Sequence, residues 1–392
     1  MEYLNAGGYT WKPSPNNGFR MEIVQQDNLK LGTVKVEQDQ ILPGQKAKID
    51  IPVTASAKEG TYELSLMPKV GNTDLLSRPE KIYIKVSKTK TAAAKNTTPS
   101  TTGAGSTSAA SGDKIRVDIS FHSNPVISGT GTFAAYEGTK KLGSFAKDEK
   151  VGVTFDSGKY MVKGDKQAYT TTSPPRFLPD SGTILRIDNY ENRPAWNTTY
   201  NDNEFRGVLE VDRYSDEMEV INELPVEDYL KGLGEISATD PYEKIKAIIV
   251  LARSYAYYYT KVGVKFPGAP YNLTDDPERS QKYLGYGFEQ RNPTGVKAVN
   301  DTTGLVVKYN GNLVKTPYFS SDDGRTRSAQ EVWAWTDTPW LVSVDDPGCK
   351  GMTMNGHGVG LSGCGALYWA NLGKTFKEII AYYFKGVTVE KL

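Results

Sequence analysis

The run "KTKTAAAKNTTPSTTGAGSTSAASGD", from Lys88 to Asp113, sets the first limit on this chain. Thr, Ser, Ala and Gly offer almost no apolar surface to bury, so the segment reads as a flexible tether between folded parts. Residues 1–87 and 114–392 must therefore each build a core of their own. Of the 392 residues, 38% are hydrophobic, which is enough for two or three domains. Lys and Arg total 47 against 46 for Asp and Glu, which gives no electrostatic reason to expect nucleic acid or an anionic membrane as partner. No apolar run approaches the roughly 20 residues that span a bilayer. The opening "MEYLNAGGYTWKPSP" lacks the basic and apolar regions of a signal peptide, so export would require a targeting segment that has been removed or replaced by Met1.

Residues 1–87 alternate polar and apolar positions in short runs broken by Pro43-Gly44 and Glu59-Gly60, the pattern of a small β-sandwich. The stretch "NAGGYTW" (Asn5 to Trp11), with "LPGQ" and "EGTYEL" after it, resembles immunoglobulin-like modules of bacterial surface proteins; there Trp11 is expected as a core anchor. Residues 114–220 again read as strands, and 221–392 as the helix-containing part of the same domain, so the expected class is α+β. In "LPVEDYLKGLG", Pro225 suits the first turn of a short helix that stops at Gly232 or Gly234. In "DPYE", Asp240 is placed to cap a second helix, with Glu243 completing a capping box, and this helix runs to about Thr260. Glu235 falls on the connection between the two.

On the second helix Glu243, Lys246, Val250, Arg253 and Tyr257 share one face, while Ile245, Ile248, Ile249, Leu251 and Ala252 fill the rest. A helix apolar nearly all round belongs inside a domain, and charges there need partners. Two arrangements satisfy Lys246 and Arg253: ion pairs with acids that lock the helix, or the border of a cleft where they orient Glu235 or a sugar hydroxyl. A carboxyl in the position of Glu235 can protonate a glycosidic oxygen and later act as base, with an internal sugar hydroxyl as nucleophile.

The segments "NELPVEDYLKGLGE", "DPYEKIKAIIVLARSYA", "SQKYLGYGFE", "GLVVKYNGNLVKTPYFSSDDGRTRSAQEVW", "PWLVSVDD", "GHGVGLSGCGA" and "IIAYYFKGVTV" together resemble, in order and spacing, the SpoIID/LytB family, the stage II sporulation protein D and amidase-enhancer group. The resemblance covers about residues 114–392. It implies a SpoIID-like α+β catalytic domain and a peptidoglycan lytic transglycosylase that acts on glycan strands lacking stem peptides and leaves anhydro-muramyl ends. It also implies Glu235 as the acid/base, supported by Lys246 and Arg253; the serine turn falls on Ser320 and Ser321 and the histidine-glycine motif on His357, Gly358, Gly360 and Ser362. Of these, Ser320, Ser321, His357 and Ser362 are expected at the glycan, with structural support in the glycine-rich turn the alternative for His357. Three departures stand out: Ile236-Ser237 where the family has Met-Pro, Asp322-Asp323-Gly324 after the serine turn, and Gly363-Cys364 in place of Gln-Tyr. The acids at 322 and 323 are expected to reshape the cleft.

The expected partners are peptidoglycan glycan strands and a cell-wall amidase; the expected location is outside the cell or in its envelope. No cofactor and no metal are expected. The competing class is a non-catalytic peptidoglycan-binding protein that stimulates an amidase. Of the tryptophans, Trp333, Trp335 and Trp340 suit sugar stacking. The two cysteines, Cys349 and Cys364, are expected as an extracellular disulfide closing a short loop; two free thiols, or a zinc hydrolase site built on Cys349, His357 and Cys364, are the alternatives.

Overall fold

The computed structural model describes residues 113–392 apart from 215, and, nearer the N-terminus, 2–4, 12–14, 19–26, 30–41, 46–54, 60–70, 73–74 and 80–86. The chain divides into two compact units, Met1–Gly105 and Ser106–Leu392. Trp11 and the tether, apart from Asp113, lie outside the described residues.

In the first unit the long strand Gly60–Val70 pairs antiparallel with Phe19–Gln26 on one side and Glu80–Val86 on the other, and Lys46–Asp50 joins Glu2–Leu4 to Lys35–Val36 in a separate sheet. Phe19, Met21, Ile41, Ile49, Leu64 and Leu66 form its core. The described residues of this unit are strands and connections.

The second unit is α+β. Its site depends on β1 (Lys114–Ile119), β2 (Val208–Tyr214), β3 (Glu217–Pro225), helices α1 (Val226–Lys231) and α2 (Tyr242–Lys261), and β4 (Leu273–Thr274). These strands lie side by side in a seven-stranded sheet in the order β2-β3-β1-β4; only β1 and β4 are parallel. A six-stranded antiparallel sheet centred on Val126–Gly129 shares the same core. Strand β3 buries both faces over most of its length, and the buried positions include the polar residues Glu219 and Asn222 beside Met218, Val220, Ile221 and Leu224.

Helix α2 buries residues on nearly every side, from Ile245 to Tyr257. It packs against α1, α3 (Pro293–Asp301), α4 (Gly363–Asn371), α5 (Phe376–Tyr383) and the strand Leu305–Tyr309. Helix α1 begins one residue later than expected, with Pro225 at the N-cap, and ends at Gly232. The expected cap of α2 is replaced. Pro241 holds the N-cap position with no side-chain hydrogen bond; Asp240 instead accepts from the Ser237 N–H (3.1 Å) and from Lys244 Nζ (2.7 Å). Glu243 accepts from the backbone N–H of Phe376 (2.7 Å), which ties α2 to α5 rather than closing a capping box.

Candidate functional site

Glu235 sits on the turn between α1 and α2, as its position after two glycines predicts. Two backbone hydrogen bonds, Gly234 N–H to Lys282 O (2.7 Å) and Leu284 N–H to Gly232 O (2.9 Å), press this turn against residues 282–284. A Cβ at Gly234 would lie 2.8 Å from Leu284 Cδ1, so a larger residue here would have to push that side chain aside to keep the approach. The contact lets the Lys282 N–H donate to Glu235 Oε1 at 2.6 Å, which fixes the carboxyl group. Burial raises the Glu235 pKa above the ordinary glutamate value; the Lys282 N–H and the Lys282 charge oppose the shift without cancelling it.

The carboxyl faces a cavity of about 1240 Å³. One wall comes from α2, whose Lys244, Ile248, Tyr255 and Tyr259 line it at helical spacing; the others come from residues 277–281, 315–321, 355–357 and the start of α4, with Trp333 and Trp335 at the side. The two tryptophan rings lie 4.6 Å apart, and Lys315 Nζ stands 3.9 Å above Trp335. Trp340 does not line the cavity; its Nε1–H is spent on the Lys315 carbonyl (3.0 Å). The lining cations are Lys244, Lys265, Arg279 and Lys315, against the carboxylates Glu235 and Glu278. Burial, with Lys315 and Arg279 close by, lowers the Lys265 pKa. Beneath Glu235, Gln281 links two buried phenols: it accepts from Tyr229 (3.1 Å) and donates to Tyr318 (2.9 Å). Burial first, and the Glu235 charge second, hold both phenols well above their usual pKa.

His357 lines the same cavity, its ring 4.9 Å from Trp333 and 5.6 Å from Phe319. Its Nδ1 accepts from the Val359 N–H (3.1 Å), and burial lowers its pKa to about 4, so the ring is a neutral wall at neutral pH. Nearby, Gly360 has φ +83°, and a Cβ there would strike the Pro317 carbonyl, which explains a glycine in "GHGVG".

The serines separate. Ser320 is exposed on the cavity wall. Ser321 also lines it but is buried, its hydroxyl donating to the Thr353 carbonyl (2.9 Å). Ser362 is fully buried away from the cavity: it caps α4 through the Gly365 N–H (3.0 Å) and donates to Asp346. Nor do the acids of the serine turn enter the cavity. Asp322 is buried behind it, and Asp323 pairs with Arg327 (2.8 Å).

Lys246 and Arg253 are not brought to Glu235. Arg253 is fully buried, and each of its five N–H donors has an acceptor. Nε and Nη2 bind Glu227 at 2.8 and 2.9 Å, and the remaining donors reach Thr302 Oγ1 (3.2 Å) and the carbonyls of Leu305 (3.3 Å) and Val299 (3.1 Å). This network joins α1, α2 and α3. Lys246 pairs with Glu243 (2.6 Å) and lies over the rings of Tyr242 (5.1 Å) and Phe376 (4.9 Å). The cation that α2 does send to the cavity is Lys244, two residues earlier. Cys349 and Cys364 form a disulfide with Cα atoms 5.5 Å apart, which removes both thiolates from the Cys349/His357/Cys364 zinc set.

Lys244, Tyr255, Tyr259, Lys265, Arg279, Gln281, Lys315 and Tyr318 were missed as site residues. The helical spacing of Lys244, Tyr255 and Tyr259 is a signal; the others come from loops or, for Tyr318, from the two-residue strand Tyr318–Phe319, and have none.

Fold and site together define an α+β protein whose second unit presents a desolvated carboxyl group in an open, aromatic-lined and cation-rich cavity. A family model described as SpoIID, stage II sporulation protein, matches residues 214–309, the segment that carries Glu235. An amidase enhancer of Bacillus subtilis is 39% identical over 119 residues, 30% of this chain and 15% of the relative. Stage II sporulation protein D of the same organism is 26% identical over 138 residues, 32% of this chain and 40% of the relative. An uncharacterized protein of Brachyspira hyodysenteriae is 34% identical over 155 residues, 39% of this chain and 40% of the relative. The matches span less than half the length of each of these relatives. They support a relation of this part of the chain to the SpoIID/LytB family.

Proposed function

We propose that the second unit is a peptidoglycan lytic transglycosylase with Glu235 as its acid/base. The carrying observation is the desolvated, hydrogen-bonded carboxyl of Glu235 facing a cavity wide enough for a glycan. Protonated Glu235 donates to the leaving glycosidic oxygen as the C–O bond breaks. The resulting carboxylate then takes the proton of the muramyl 6-hydroxyl while that oxygen bonds to the anomeric carbon. No water is consumed, and the product is a 1,6-anhydro end. Tyr255, Tyr259, Trp333 and Trp335 offer faces for sugar stacking. With Lys244 held by Asp240, the lining cations Lys265, Arg279 and Lys315 against the carboxylates Glu235 and Glu278 favour a glycan whose lactyl groups are free carboxylates, that is, one without stem peptides. The protein would then act outside the cell or in its envelope, and the N-terminal unit would be an immunoglobulin-like module.

A second reading, favoured by the likeness to an amidase enhancer, is a non-catalytic glycan-binding protein that stimulates a cell-wall amidase. Mass spectrometry of soluble products from amidase-stripped peptidoglycan, with wild type and Glu235→Gln side by side, separates the two. Anhydro-muramyl products from wild type alone are expected. Binding without products from either protein would leave the activator reading.

A further inference from the structure

Away from the cavity, the end of the seven-stranded sheet gathers polar groups that no part of the proposed reaction uses. Pairing register places Asp118 of β1 opposite Thr274 of β4 and Ile221 of β3, so Glu219 and Glu217, two and four residues before Ile221, share the face of Asp118. Asp212 of β2 stands opposite Glu219. Asp118 is 1% exposed and Glu219 4%, yet Asp118 Oδ1 and the Thr274 hydroxyl each lack a hydrogen-bond partner, and Glu219 Oε2 is met only by His122. The Asp118 and Glu219 carboxyl groups are in direct contact. Two touching buried carboxylates repel unless a proton or a cation joins them.

The neighbouring atoms fit a cation. His122, on the loop after β1, holds Nδ1 3.1 Å from Glu219 Oε2 and 3.8 Å from Glu217 Oε2, and these three ligand atoms all lie within 4.8 Å of one another. Donors about 2.0–2.2 Å from a common metal ion are separated by roughly 3–4.4 Å. His122 and Glu217 are exposed, which leaves a way in from solvent, and Glu219 is buried, which supplies a fixed inner ligand. His122 and, after it, Arg279 are the cations acting on Asp118, and Arg279 also acts on Glu219, against the four acids Asp118, Glu217, Glu219 and Asp212.

We propose that His122, Glu217 and Glu219, with Asp118 behind them, form a binding site for one divalent first-row transition ion of the Zn²⁺ or Mn²⁺ class. The imidazole nitrogen selects this class over Mg²⁺ and Ca²⁺, which prefer all-oxygen sites. The site is separate from Glu235 and takes no part in the proton transfers proposed for it.

The test is calorimetric titration of the whole chain with Zn²⁺, repeated on His122→Ala and Glu217→Gln, with thermal unfolding followed with and without the ion. Glu217→Gln falls on an exposed side chain, so its metal-free unfolding temperature should match wild type. His122→Ala also removes the contact to buried Glu219, so the ion's effect on each variant is read against that variant's own metal-free unfolding temperature. Wild type should bind one ion and melt higher in its presence, and each variant should bind on the order of tenfold more weakly or worse. Absence of binding by wild type at about 1 mM ion, or undiminished binding by both variants, would overturn the proposal; Asp118 and Glu219 would then be joined by a proton alone.

Discussion

Helix α2 carries two sets of charged and polar side chains on different faces, and they do different work. On one face Glu243, Lys246 and Arg253 are spent on protein partners: Glu227, Phe376 and the carbonyls behind α3. On the other, Lys244, Tyr255 and Tyr259 line the cavity that holds Glu235. At about 100° per residue the two sets lie about half a turn apart, so opposite faces of one helix separate its packing charges from its cavity lining. The same division holds for the acids. Glu227 is gripped by a guanidinium, whereas Glu235 keeps one fixed backbone donor and a raised pKa.

The sharpest way to break this comparison is at Glu235. Glu235→Gln should reduce release of anhydro-muramyl products by about 10²–10⁴-fold, the usual range for a general acid/base, while leaving the urea midpoint unchanged. A loss of stability equal to that of Arg253 variants would erase the distinction. Arg253→Met should do the reverse in kind: it strands Glu227 and costs about 3 kcal/mol in urea unfolding, the low end for a broken buried pair because Glu227 is partly exposed. The double variant with Glu227→Gln should recover much of that loss, and a pairwise coupling near zero would show that the pair is not what locks α1 to α2.

Acidity separates the regions again. In the proposed reaction Glu235 must be protonated to donate, so cleavage should fall as pH rises through its raised value, and a profile set by an ordinary carboxyl would contradict its burial. Behind the cavity wall, Asp346 is pushed up to about 6, mainly by burial and then by Asp322. Its folded pKa exceeds the ordinary 3.8, so the stability it contributes is complete below that value and is lost as pH rises through 6. Asp346→Asn should flatten the slope of unfolding free energy between those limits. The smallest effect is expected at Lys246, where Lys246→Met removes one ion pair and two ring contacts, costs about 1 kcal/mol and leaves cleavage untouched.

Much of this could be read from the chain. The α+β class, both helices to within a residue or two, and the position of Glu235 on their connection follow from proline, glycine and apolar spacing. The caps of α2 did not, because Asp240 turned back to Ser237 and Glu243 forward to Phe376, 133 residues away. Ser362 looked like a glycan contact and is a helix cap, since the acid it meets, Asp346, lies 16 residues earlier on a different element.

By itself, then, the sequence determined what is local: which segments are helical, where they stop, and that a buried helix keeps two cations needing partners. Only the tertiary structure decided which partners. Arg253 finds Glu227 26 residues back and Thr302 49 residues ahead. The cavity itself is assembled from α2, the 277–281 and 315–321 segments and the loop at His357. Helical periodicity fixes the angle between two side chains on one helix, but which angle faces solvent, core or cavity depends on segments whose arrival no local spacing records.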